Sequence, residues 1–405
     1  MSLREQLERE VAAAAAAVPL LNDDAVTDAL ERAARLVGEG RDSIAAANAA
    51  DVDAASGLDP GSLDRLRLDA SRIDALAEQL AQLAALPPLE RDEDAWQLEN
   101  GLSVSVRRIP IGAVGANFEA RPNVAIDVAG QLLKSLNAAV LRTGGAALRT
   151  VTVLVDEILR PALEAAGLPP TAVGLARSPD REGARILVSL PHVLPLVILR
   201  GSGETTAALA HEAATHGVRT LAHAEGGGVL YIGAAADPGK AEALVAASLD
   251  RLGVCNRLNL LLIDRGADSL LPRLQAVLDG LGIEVREPER VGHEWANDPD
   301  RIASVTVRSV DSLDAAVALA NEETSGLAAA IVTEDGDAAA RFLDAYRGTT
   351  AFWNATTRFT DGFALTGSPE TGINVDRVPG PRGPVTYRDL YLRQYRVVGD
   401  GTQAR

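Results

Sequence analysis

Short, continuously apolar runs alternate with helical patterns along most of this 405-residue chain. "AAVLR" (138–142), "AVGLA" (172–176), "VLPLVILR" (193–200) and "GVLYI" (228–232) read as strands, with "NVAIDVAGQLLKSLN" and "ETTAALAHEAATHG" as helices between them. A strand without a polar face has to be covered on both sides, so the pattern predicts an α/β fold with parallel sheets. After "AADPGK" the alternation restarts: helix 238–251, strand 258–263, helix 268–281, strand "ASVTVRSV", helix 311–323, strand "LAAAIVT", helix 336–345 and strand "TTAFW". Two α/β units follow, with a boundary near residue 235. Residues 1–85 are alanine-rich and helical in period, and "LPPLE" ends that layer. Two alternating strands, near 102–109 and 391–398, have no obvious partner in either unit. Their pairing across chains predicts a homodimer or a dimer of dimers.

Charge and cysteine usage narrow the function classes. With 56 acidic residues against 39 basic ones the formal net charge is −17, which opposes binding to nucleic acid or an anionic membrane. The single cysteine excludes an intramolecular disulfide. The first ten residues carry acidic side chains rather than a basic start, and no apolar stretch approaches the roughly 20 residues of a spanning helix. A cytoplasmic protein is expected. His192, His211, His216, His223 and His293 are scattered without metal-ligand spacing, so no metal is expected.

Several residues could carry chemistry, each with a plainer alternative. Cys255, in "DRLGVCNRLNLLLID", lies between a helix and a strand, where an α/β scaffold presents a nucleophile to a cleft; a buried small hydrophobe is the alternative. "LRGSGETT" sets Arg200, Gly201, Ser202 and Gly203 between a strand and a helix, which suits a phosphate or a simple βα turn capped by Ser202. Asn123, after Pro122 at a helix start, could donate to an oxyanion or cap the helix. "WNATTRFTDGF" is a polar loop after a strand; Asn354, Thr357 and Arg358 there either line a site or stabilise the turn. A G-x-G-x-x-G fingerprint is absent.

Read together, these stretches resemble the glutamate-5-semialdehyde dehydrogenase (gamma-glutamyl phosphate reductase) family of the aldehyde dehydrogenase superfamily. The similarity is carried in order by "IPIGAVGANFEARPNVAIDVAGQLLKSLNAAVLR", "LVILRGSG", "CN", "NATTRFTDG", "PRGPV" and "RDLYLRQYRVVGDG". The resemblance implies an aldehyde dehydrogenase-like fold of two parallel α/β domains with a cleft between them and a small oligomerisation extension. Residues 1–235 would hold the helical layer and the cofactor-binding domain, 236–365 the catalytic domain with Cys255, and 366–405 a return segment ending in a strand that pairs with about 100–110.

By resemblance the chain is an NADP-dependent enzyme, with NAD the alternative cofactor. It would reduce an acyl phosphate, gamma-glutamyl phosphate or a relative, to an aldehyde in amino-acid (proline) or specialised-metabolite biosynthesis. Cys255 would form a thioester, with the Asn123 side chain and the Cys255 backbone N–H stabilising the oxyanion. Arg142 and residues 200–203 would bind the cofactor. Arg121, Asn256, Asn354, Thr357 and Arg358 would bind the substrate, the arginines through bidentate contacts. The sequence departs from the family at "HAEGGGVLY", which gains Glu225, at Asn259, where the family has glutamate, and at "GSPETGINVDRVPG". Glu225 therefore opens a rival reading, an oxidising aldehyde dehydrogenase in which that carboxylate activates water. A non-catalytic scaffold partnering an acyl kinase is the third.

Overall fold

The N-terminal layer forms because polar caps and apolar stripes coincide. Helices span Leu3–Ala17, Asp23–Glu39, Arg41–Ala54, Pro60–Leu66 and Ala70–Ala85, and the side chains of Asn22, Asp59 and Asp69 accept backbone N–H groups at three of their starts. Val26, Leu30, Ala33 and Val37 face Ile73, Leu76, Leu80 and Leu83 in one core. The helix Asn123–Lys134 packs on this layer through Gly130, where a Cβ would stand 2.9 Å from Leu83 Cδ2. Only glycine permits that approach. The computed structural model describes residues 2–201, 203–223, 226–377 and 380–403.

Sixteen strands follow among the described residues. β1 (Asp92–Gln97) and β2 (Ser103–Pro110) are antiparallel. β3 (Ala113–Phe118), β4 (Ala138–Thr143), β5 (Val173–Leu175), β6 (Leu196–Arg200) and β7 (Arg219–His223) make a parallel sheet in the order β5-β4-β3-β6-β7. β8 (Gly228–Ile232), β9 (Leu258–Asp264), β10 (Glu284–Val285), β11 (Ser304–Val310), β12 (Ala328–Val332) and β13 (Thr350–Trp353) make a second parallel sheet, β10-β11-β9-β8-β12-β13. β14 (Gly372–Asn374) and β15 (Gly383–Val385) form a hairpin, and β16 (Tyr391–Val398) closes the chain.

Two expectations change. β8 is a central strand of the second sheet, so the boundary falls between β7 and β8, ahead of residue 235. A continuous apolar strand carries no mark of which sheet receives it. The strands near 102–109 and 391–398 need no second chain to find a partner: β2 and β16 pair with each other within one chain, as the resemblance implied, Ser103 opposite Val398 through Pro110 opposite Tyr391. Their sheet still leaves Trp96, Leu392, Tyr395, Val397 and Val398 exposed.

The return segment ties the C-terminus to the first core. Val385, Tyr387 and Leu390 are buried there, and the Tyr387 hydroxyl donates to the Pro87 carbonyl at 2.8 Å. Gln131 donates to the Pro369 carbonyl at 2.7 Å and accepts the Tyr387 N–H, so one face of the helix 123–134 is held against residues 369–387.

Candidate active site

The strand order β5-β4-β3-β6-β7 reverses direction between β3 and β6, and ligands of such sheets bind beyond the carboxyl ends of the strands at that switch. A cavity of about 550 Å³ lies there, lined by Glu119 and Arg121 after β3, Arg142, Gly144 and Gly145 at the end of β4, Arg181, Gly201 and Gly203. The amino ends of the second sheet meet this region. Gly226 and Gly227 precede β8, and Cys255 precedes β9.

Cys255 is placed by close backbone contacts. Gly227 donates its N–H to the Cys255 carbonyl at 2.6 Å, and Gly228 donates to that of Arg257 at 2.7 Å. A Cβ on Gly226 would lie 2.6 Å from Cys255 Cβ and 2.6 Å from Glu294 Oε1, so the thiol and that carboxylate are immediate neighbours and no larger residue fits between them. Gly253, two residues before the cysteine, turns the chain with φ +80°, where glycine is unstrained.

The nucleophile rests on a platform built from the loop after β13. The Asn256 amide donates to the carbonyls of Arg358 and Thr360, both at 3.0 Å, and its oxygen accepts from Arg358. Arg358 also grips Asp250, with Nε–Oδ1 at 2.7 Å. Thr357, fully buried, donates to the Asn256 carbonyl at 2.9 Å. Asn354 exchanges hydrogen bonds with the backbone of Thr333. These four residues, expected to bind substrate, have their polar groups occupied inside the protein and instead fix the height and direction of Cys255. Asn256→Ala should therefore lower stability by about 2–3 kcal/mol, because two buried carbonyls and one guanidinium lose their partner. Chemical denaturation checks this; a change below about 0.5 kcal/mol contradicts the platform.

The other expected residues divide. Arg121 does line the cleft and donates no side-chain hydrogen bond among the described residues. Burial, with Arg200 and Arg65 nearby, brings its guanidinium down to about 10, so it stays charged at neutral pH. Asn123 does not cap its helix. The N-cap position is Pro122, without a side-chain bond, and Asn123 Nδ2 donates to Asp127 Oδ2 at 3.0 Å. Arg142 is buried and spends its guanidinium on Asn117 Oδ1 (3.1 Å) and the carbonyls of Pro179 and Asp180, with Nε buried and unpartnered near Gly183. Arg200 turns away from the cavity and donates to the Thr371 carbonyl at 3.0 Å. Its charge acts on Cys255, Asp127 and Glu370. Gly201 and Gly203 remain on the cavity wall. Ser202 and Glu225 lie outside the described residues.

Sequence reasoning missed several charged neighbours. Glu294 and Glu370 flank Cys255, and burial together with these carboxylates pushes the thiol up to about 12, against the opposing pull of Arg200 and Arg121. A second cavity, of about 430 Å³, reaches Gly253; Arg65, Arg67, Arg121, Asn123, Arg251 and Arg301 line it together with Asp64 and Glu78. Arginines 65 and 301 come from the helical layer and from the loop before β11, far apart in sequence, and no local motif marks them. Among the described residues no group of His, Cys, Asp and Glu could hold a metal, and no helix is long and apolar enough to cross a membrane.

Comparison with known proteins adds the family context. Residues 304–383 match the model of the aldehyde dehydrogenase family. The gamma-glutamyl phosphate reductase of Thermotoga maritima superposes with a TM-score of 0.91 at 27% identity, covering 100% of both chains. A propionaldehyde dehydrogenase of Clostridium phytofermentans gives 0.72 at 16% identity, covering 98% of each chain. An acetylating aldehyde dehydrogenase of Geobacillus thermoglucosidasius gives 0.72 at 15% identity, covering 100% of this chain and 98% of that one.

Proposed function

We propose that the chain, similar over its full length to a gamma-glutamyl phosphate reductase and matching the aldehyde dehydrogenase family over residues 304–383, is a member of that reductase family and reduces an acyl phosphate to an aldehyde through a thioester on Cys255. One observation carries the anionic substrate: in a protein of net charge −17, Arg65, Arg67, Arg121, Arg251 and Arg301 outnumber Asp64 and Glu78 around a cavity that reaches Gly253, two residues before the cysteine. Concentrating positive charge against the overall balance attracts and holds a phosphate ester.

The sulfur attacks the acyl carbon, the carbon–oxygen bond to phosphate breaks, and phosphate departs among these arginines, taking up the thiol proton directly or through solvent. The growing negative charge on the acyl oxygen falls to the Asn123 amide and the Cys255 backbone N–H. Thiolate is then a good leaving group when the reduced carbon collapses to the aldehyde. A nicotinamide dinucleotide bound in the cavity beyond β3, β4 and β6 supplies the hydride. That cavity suits it: Gly144, Gly145, Gly201 and Gly203 leave backbone open to a pyrophosphate, and Arg142 and Arg181 add positive charge to its lining. The end of β4 carries glycines rather than a carboxylate, and Arg181 on the cavity wall, which Glu119 shares, would receive the 2′-phosphate of NADP. The exposed apolar face of the β1-β2-β16 sheet supports a homo-oligomer, and the lone unpaired cysteine a cytoplasmic home.

The test runs the reaction backwards. With glutamate-5-semialdehyde and simpler aldehydes, NADPH should form from NADP at a rate that rises with inorganic phosphate to saturation. NADPH appearing at full rate without phosphate would overturn the acyl-phosphate reading in favour of hydrolytic oxidation.

A further inference from the structure

Asn123, Asp127 and Gln131 lie one turn apart on the same face of the helix 123–134. Gln131 is fixed by the return segment, and Asp127 lies within the field of Glu370, which follows Pro369 in that segment, and of Arg200. Asp127 Oδ2 accepts from Asn123 Nδ2 at 3.0 Å, while Asp127 Oδ1 is buried without a partner. A buried carboxyl with half its capacity unused is costly to keep in a core. The one side-chain bond it makes is to the Asn123 amide, the group assigned above to the oxyanion.

We propose that Asp127 is a positioning residue: by accepting one N–H of the Asn123 amide it fixes the rotation of that amide and presents the second N–H to the oxygen that becomes negative when Cys255 is acylated. This rests on the reading of Asn123 as an oxyanion donor. Side chains on a helix lean towards its N-terminus, so a residue at i+4 reaches back to the first turn. Without such a partner an amide on the first turn rotates, offering its oxygen as readily as its nitrogen. An acceptor at 127 removes the wrong orientation, since a carboxyl oxygen accepts from the nitrogen in either protonation state. Burial and Glu370 lift this group to about 7 against the pull of Arg200 and the Asn123 bond, and the hydrogen bond persists across that titration.

The test uses acylation of the full-length protein by p-nitrophenyl acetate, followed as the p-nitrophenolate burst. Sulfur attacks the ester carbonyl, p-nitrophenolate leaves, and the thiol proton passes to solvent, so neither cofactor nor natural substrate is needed. Asn123→Ala should slow the burst roughly 100-fold or more. Asp127→Leu should slow it roughly 10- to 100-fold with NADPH affinity unchanged. Asp127→Asn, whose amide oxygen accepts the same bond, should stay within about threefold of the parent. The double variant Asn123→Ala/Asp127→Leu should be no slower than Asn123→Ala, because one residue acts through the other. If the leucine variant does not fold, Asp127→Ser, too short to reach Asn123, takes its place with the same expectation. A leucine or serine variant at the parent rate, or losses that multiply in the double variant, overturns the proposal. Asn123→Ala at the parent rate overturns the oxyanion reading itself, and the positioning role goes with it.

Discussion

Cys255→Ala should lower aldehyde formation by roughly 10⁴-fold or more while leaving NADPH binding and folding close to those of the parent. The chemistry has no substitute, since this is the only cysteine in the chain and no other described thiol, or histidine placed beside it, can form the acyl intermediate. The packing loss is small. Cys255 touches the cluster of Leu327, Ala328 and Ile373 from its edge, so removing one sulfur costs on the order of 1 kcal/mol. Its position is held by backbone hydrogen bonds from Gly227 and by Asn256, none of which needs the thiol. Cys255→Ser should be nearly as inactive, because a hydroxyl in the same pocket is far harder to ionise than a thiol. Steady-state rates with both variants, alongside cofactor titrations, check this. An alanine variant retaining a hundredth of the parent rate rules out the thioester.

The parallel sheets were legible in the sequence because buried strands write themselves as unbroken apolar runs: Ala138–Thr143, Leu258–Asp264 and Ala328–Val332 fall where the runs are. β7 was not, since "RTLAH" is short and half polar, and β1 was not, since "DEDAWQ" is an exposed edge with no buried face. The assignment of β8 failed for a different reason: both sheets accept the same kind of strand, and only the tertiary partners β9 and β12 decide.

The site was legible where function needs one residue and illegible where it needs a neighbourhood. The places of Cys255 before a strand and of Asn123 at a helix start were readable, while the roles proposed for them rest on the family resemblance. The polar loop 354–360 looked like a substrate-binding surface, yet Asn354, Thr357 and Arg358 bond to Thr333, Asn256 and Asp250 within the protein, and Asn256 joins the loop to the residue after Cys255. Arg358 shows the difficulty sharply: a guanidinium suited to a phosphate is just as suited to Asp250. Glu294, Glu370, Arg65 and Arg301 reach the cleft from four separate stretches, so no spacing rule could have joined them to residue 255. Asp127 occupies a polar position of an amphipathic helix, where a carboxylate is unremarked in any sequence.

Those distant carboxylates make a strong claim about the resting thiol. Alkylation of Cys255 by iodoacetamide should be about a thousandfold slower at pH 7.5 than that of an unperturbed thiol, because thiolate is the reacting form and the group is raised from 9.0 to about 12. Below the unperturbed value, each unit of upward shift removes a factor of ten in thiolate. The sign is set by two causes that act together: enclosure disfavours the charged sulfur, and Glu294 and Glu370 repel it, outweighing Arg200 and Arg121. The rate should keep climbing about tenfold per pH unit beyond pH 9, where an ordinary thiol levels off. Glu294→Gln removes one of the repelling charges without opening the pocket, so the same reaction at pH 7.5 should quicken by roughly tenfold. A parent enzyme alkylated as fast as free cysteine, or a Glu294→Gln variant that is slower, would show that the arginines dominate the thiol instead. The reactive sulfur is therefore not a standing thiolate. Its proton has to be given up in the act of attack, when the arriving acyl group displaces water from the cleft and the oxyanion donors take over the charge.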